Sequence, residues 1–217
     1  MNNGTYWLPE HPIWQDEPCY IIGGGPSLKN FDWDMLRGKN VLGCNASFYM
    51  GAHLVPIIVF GDAVFLKQHR DGLDDYASEG GVVITNSNSV KRFEPPEYVK
   101  VMKKYNRGMA VDGLGWNSST GACAINLALI FGANPIYLLG YDMQLSPEGE
   151  KNFHNAYSDK PNPKSYPRFL RGMTFVTRDL HHVFPGHEVI NLEDGTSALN
   201  MFPRESLKEH FLKEFVT

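Results

Sequence analysis

The run Gly23-Gly24-Gly25-Pro26-Ser27, directly after the apolar Cys19-Tyr20-Ile21-Ile22, is the first place where residue type and spacing could do chemistry. A turn without Cβ atoms lets backbone N–H groups approach an anion, and a helical turn opening at Ser27 adds a favourable dipole. That is the physics of a phosphate or nucleotide site. Glycine-rich turns also serve as plain chain reversals, so the rest of the chain has to decide between the two. Further short polar groups follow apolar runs: Asn45, Asp62, Asn86 and Asp142. Ser118-Ser119-Thr120-Gly121 opens a dense apolar segment at 122–131, where Ser or Thr can cap free N–H groups. His154 stands in a long polar stretch just after Asp142. A histidine there could take a proton from a hydroxyl near neutral pH, or bind a phosphate when charged. His181, His182 and His187 surround a helix end, where interaction with the dipole is the simpler reading.

The elements that must position these groups follow from the apolar pattern. Strands are expected at 19–22, 41–45, 56–62, 80–86, 135–142 and 188–192. Several are continuous apolar runs, as found where a parallel sheet is buried on both faces. Helical spacing is expected at 64–76, 122–131, 168–184 and 203–211, with short helical turns over 28–36 and a basic one at 99–105. Residues 108–116 read as an excursion over a sheet edge. The alternation predicts a single α/β domain over 1–217, a Rossmann-like three-layer sandwich with a mostly parallel sheet. Residues 1–18 form an N-terminal extension in this reading, and 144–167, with four prolines, an active-site loop or lid. In such sheets ligands bind outside the carboxyl ends of the strands, and the polar groups above all fall there.

Composition excludes several classes. The chain has 217 residues, a net charge of −4 and 42% hydrophobic residues, as a soluble globular protein does. The acidic balance gives no phosphate-tracking surface for nucleic acid. Three dispersed cysteines argue for reduced core thiols, and no HExxH, Walker A or paired CxxC pattern occurs. No apolar run is long enough for a bilayer span, and residues 1–18 have no signal-peptide pattern, so the expected location is cytoplasmic.

Ile21 to Leu28, Cys44-Asn45, Ser119-Thr120-Gly121, Phe131-Gly132-Ala133, 136–142 and 191–203 together resemble two related groups. One is the MptE-like family of 6-hydroxymethylpterin pyrophosphokinases, the other the Campylobacter-type bacterial sialyltransferases. The resemblance implies a nucleotide-dependent transferase, with a donor nucleotide held by Gly23, Gly24, Gly25, Pro26, Ser27, Asn45, Asn86, Ser119, Thr120 and Gly121. Two chemistries stay open. A sialyltransferase-like enzyme would move a sugar from a CMP-type or other nucleotide-activated donor to an acceptor hydroxyl on a glycan or small molecule, with His154 as base. A pyrophosphokinase would use ATP, with Asp62 and Asp142 placing Mg²⁺. Asp62 stands where the sialyltransferases have asparagine, and Gln144 where a tyrosine is expected. A non-catalytic nucleotide-binding protein is the third reading, and the sequence leaves room for a homo-oligomer.

Overall fold

The computed structural model describes residues 6–156 and 162–214. The expected N-terminal extension at 1–18 and lid at 144–167 therefore lie partly outside the described residues.

Eight strands form one sheet. They are β1 (Cys19–Ile22), β2 (Asn40–Cys44), β3 (Ile57–Phe60), β4 (Val82–Thr85), β5 (Val99–Val101), β8 (Ile136–Leu139), β9 (Val189–Leu192) and β10 (Arg204–Glu205). Their order is β10-β9-β8-β1-β2-β3-β4-β5, and every pairing is parallel. Each central strand alternates between two cores, as a period-2 chain buried on both sides must. Cys19 and Ile21 point to one face, Tyr20 and Ile22 to the other. The first face is covered by α3 (Thr120–Ile130) and α4 (Tyr166–Val183), through residues such as Ile125, Leu127, Met173 and Val176. The second is covered by α1 (Ala63–Gln68), α2 (Arg70–Ser78) and α5 (Leu207–Glu214), through Leu66, Leu73, Tyr76 and Phe211. This is the expected three-layer, Rossmann-like sandwich.

Two local expectations are corrected. Residues 99–105 are not a helical turn: β5 extends the sheet, and β6 (Lys104–Tyr105) pairs with β7 (Leu114–Gly115) in a two-stranded ribbon. Val99 is buried while Lys100 is partly exposed, an alternation short enough to pass for a helical one. The terminal helix starts at Leu207 rather than Pro203, because Arg204 and Glu205 first pair with Asn191 and Leu192. The excursion at 108–116 is the far limb of the ribbon. Buried Asn126 of α3 holds it, accepting from the Ala110 and Gly115 amides (3.2 and 3.0 Å) and donating to the Ala110 carbonyl at 2.8 Å.

The chain leaves β1 in one direction along the sheet as far as β5, then returns to β8 on the other side of β1. The boundary between β1 and β8 is thus the topological switch point, where a crevice opens at the carboxyl edge. The glycine turn and Asp142 both belong to it.

Candidate functional site at the carboxyl edge of the sheet

The glycine turn is packed, not open. A Cβ on Gly23 would lie 2.6 Å from the Gly140 carbonyl oxygen. One on Gly25 would lie 2.5 Å from the same atom and 2.6 Å from the Asp142 carboxyl carbon. These glycines make room for the end of β8. Their donors are used in the same contact: Gly23 N–H bonds Leu139, Gly25 N–H bonds Gly140, and Ser27 donates both its N–H (2.8 Å) and its hydroxyl (2.6 Å) to Asp142. Pro26 has no N–H, so Gly24 carries the turn's one amide without a bond among the described residues. The expected row of free amides is therefore corrected to a single one. Burial raises the Asp142 pKa, the Ser27 bonds oppose that, and nearby Glu193 adds to it. Tyr166, at the start of α4, has its own pKa raised by burial and, to a smaller extent, by the charge of Asp142.

Free donors occur one strand along, at α3. Ser119 has the extended backbone of an N-cap, but its side chain caps nothing. The Thr120, Gly121 and Ala122 amides precede the first helical bond, which Cys123 makes to the Ser119 carbonyl. The Thr120 hydroxyl donates to Asn45 Oδ1 at 3.3 Å. A side chain on Gly121 would meet the ring of buried Tyr141, whose hydroxyl donates to the Gly121 carbonyl and lies 3.8 Å from Cys44 Sγ. That thiol is pushed up to about 12 by burial, so it stays protonated. Asn45, Asn117, Ser118 and Met143 all adopt positive φ (51°, 44°, 60° and 53°). For residues with a Cβ this conformation is uncommon and gathers at functional sites. Asn45 directly follows β2, Asn117 and Ser118 come just before α3, and Met143 directly follows Asp142.

Asn45 begins a 3-10 turn, Asn45–Met50, whose Ala46, Tyr49 and Met50 line a cavity of about 350 Å³ with Phe153 and His154. The segment bearing His154 is tied to the glycine turn by the Phe153 N–H to Gly24 carbonyl bond (3.2 Å) and by Phe153 packing on Trp33, ring centroids 5.1 Å apart. Burial lowers the His154 pKa, keeping the ring neutral near pH 7. Its Nδ1 accepts the Ala156 N–H at 3.2 Å, which puts the proton of the neutral ring on Nε2.

The remaining expected residues separate. Asn86 is fully buried, donating to the Leu114 carbonyl and Cys123 Sγ, so it is corrected from a nucleotide contact to a core residue. Asp62 is exposed and caps α1 through the Val64 N–H, 3.0 Å away. Three strand spacings separate the ends of β8 and β3, roughly 14 Å, too far for Asp142 and Asp62 to share one Mg²⁺ with bonds near 2 Å. The paired-acid metal site is corrected accordingly. No cluster of three or more His, Cys, Asp or Glu suited to a metal occurs among the described residues.

No family model matches the sequence, and no curated protein matches it. Solved structures do. The chain is similar in fold to the sialyltransferase Cst-II. A Cst-II variant in complex with CMP superposes with a TM-score of 0.55 at 15% identity, covering 87% of this chain and 86% of that one. Cst-II with a trisaccharide acceptor and CMP gives 0.54 at 16%, over the same shares. CstII from Campylobacter jejuni with the substrate analogue CMP-3FNeuAc also gives 0.54 at 16%. At this identity the likeness concerns the fold. It accords with the sialyltransferase half of the resemblance seen in the sequence. No helix among the described residues is long and apolar enough to cross a membrane.

Sequence reading missed Tyr166, Tyr49 and Tyr141. Tyr141 sits between Gly140 and Asp142, and its ring fills the space that Gly23 and Gly121 leave open. Nothing local marks Tyr166 or Tyr49.

Proposed function

We propose that this protein is a nucleotide-dependent transferase that moves a sugar from a nucleotide-activated, CMP-type donor to an acceptor hydroxyl. The observation that carries the reading is the uncapped N-terminus of α3 beside Asn45, at the carboxyl edge of a parallel sheet. Its three unbonded amides and the helix dipole suit a phosphate. The fold likeness to proteins solved with CMP supports the same ligand.

In this reading Thr120, Gly121 and Ala122 donate to the donor phosphate, with the Gly24 amide and Asn45 alongside. The acceptor oxygen attacks the anomeric carbon as the glycosyl–phosphate bond breaks, and the electron pair leaves with the nucleotide. Preorganised amides at that phosphate supply the main stabilisation of the leaving charge. His154 takes the acceptor proton at Nδ1, which requires the Ala156 amide to give way. The ATP-dependent alternative relied on Asp62 and Asp142 acting together, and the sheet order keeps them apart.

Calorimetric titration with CMP, UDP and ATP, each with and without Mg²⁺, tests the reading. Metal-independent CMP binding is expected, weakened about tenfold or more by Asn45→Ala, as for loss of a buried polar partner. Binding of ATP alone, and only with Mg²⁺, would overturn it. With a donor sugar, His154→Ala should cut turnover by about 10²–10⁴ while CMP affinity stays within a few-fold. Unchanged turnover would make His154 a structural residue.

A further inference from the structure

A second cavity, of about 310 Å³, opens at the carboxyl ends of β3 and β4, away from the one that holds His154. Its walls include Asp62, Ser87, Ser89, Arg92, Lys104 and Trp116. The volume is at the lower end of the range for small-molecule sites and suits a monosaccharide-sized ligand.

Its charge balance is unlike that of the chain. The protein carries a net −4, yet two cations and one carboxylate meet here. The carboxylate, Asp62, is engaged with the Val64 amide as the cap of α1. Neither Arg92 nor Lys104 has a carboxylate within ion-pair distance among the described residues. Lys104 is instead held by an aromatic ring, its ammonium 4.8 Å from the centroid of Trp116. The indole is itself fixed, because Gly61 has no Cβ and the ring lies against its backbone. A cation held over a π face is positioned without being neutralised, and its N–H donors remain directed outward. A carboxylate partner would have cancelled the charge. Arg92, on the 3-10 turn Asn88–Phe93, adds a planar fork suited to carboxylate or phosphate, and Ser87 and Ser89 add hydroxyls.

We infer that this pocket is a binding site for the carboxylate or phosphate of a sugar-sized small molecule, with Lys104 and Arg92 as the anion contacts. The site shares no lining residue with the cavity that holds His154 and uses none of the α3 amides. It stands whether or not the transferase reading does.

The test titrates the full chain with glucuronate, glucose 6-phosphate and neutral glucose, and in parallel with CMP. Glucuronate and glucose 6-phosphate separate a carboxylate site from a phosphate site. At least one is expected to bind at concentrations up to about 10 mM, and glucose is not. The Arg92→Gln/Lys104→Gln double variant should weaken the acid by about tenfold or more, while CMP affinity changes less than twofold. Trp116→Leu, which removes the seat of Lys104 but keeps both charges, should give an intermediate loss. Equal binding of glucose and the acids, an unaffected double variant, or no binding of either acid overturns the inference. Acid binding without CMP binding upholds it and sinks the transferase reading instead.

Discussion

Asp142 is a buried carboxylate whose two oxygens accept the Ser27 amide and hydroxyl, and it closes the turn that the glycines leave room for. Removing the charge and removing the acceptor are different changes. Asp142→Asn keeps an oxygen for the Ser27 amide and relieves burial of a charge, so stability at pH 7 should move by about 1 kcal/mol or less. Asp142→Ala leaves the Ser27 donors unpaired and should cost about 1–3 kcal/mol. Urea unfolding of both variants measures the contrast. The pH dependence has a definite sign. The folded-state pKa of Asp142 is raised above 3.8, so its contribution is full below that value and is lost as pH rises through the folded pKa. Asn at 142 should flatten that decline. His154 works the other way: its pKa is lowered from 6.5, so the neutral ring supports the fold above 6.5 and the support shrinks as pH falls from there. The glycines divide similarly. Gly25→Ala meets backbone and should cost about 1–3 kcal/mol, whereas Gly24→Ala meets only the end of the Asn152 side chain, 3.1 Å away, and should be milder. Thermal unfolding of the pair separates them; equal losses would mean the backbone at 140 can yield.

At the scale of elements, α3 does two jobs. Its first turn offers the amides proposed to hold phosphate, and its second carries Asn126, which fastens the ribbon between residues 108 and 116. Replacing Asn126 by Leu keeps the volume and orphans two amides and a carbonyl. The expected cost is about 2–5 kcal/mol, with faster proteolysis near exposed Val111, read by denaturation and limited digestion. The buried strands and α3 were legible because a segment covered on both faces must be apolar throughout. The single polar residue in that run, Asn126, was visible too, but its role was not, since its partners lie 11 and 16 positions away. β5 and β10 went unseen for a physical reason: strands of three and two residues at a sheet edge carry no periodicity of their own, and lysine is a common edge residue. Asn86 shows the complementary failure. Its place at a strand end was read correctly, while the direction of its side chain depends on the ribbon folding back over it.

The whole molecule keeps the two proposed sites on one rim, with the switch point between β8 and β1 near the middle of the sheet and the cation-lined pocket at the ends of β3 and β4, toward the β5 edge. The sandwich and its single sheet could be read from the order of apolar runs. Which polar groups would be neighbours could not, because the strand order was unknown until the sheet was assembled. That order has one more outcome, for how the molecule comes to be. Cys19 lies beside Asn40 on one flank but beside Ile136 on the other, 117 positions later. A chain emerging from the ribosome can therefore join β1 to β5 early, while the far flank of its central strand stays bare until residue 139 is made. Contacts of such long range form slowly, and an unpaired apolar flank invites association with other chains meanwhile. The assembly step most exposed to error is the docking of β8, the same event that brings Gly140 and Asp142 onto the glycine turn.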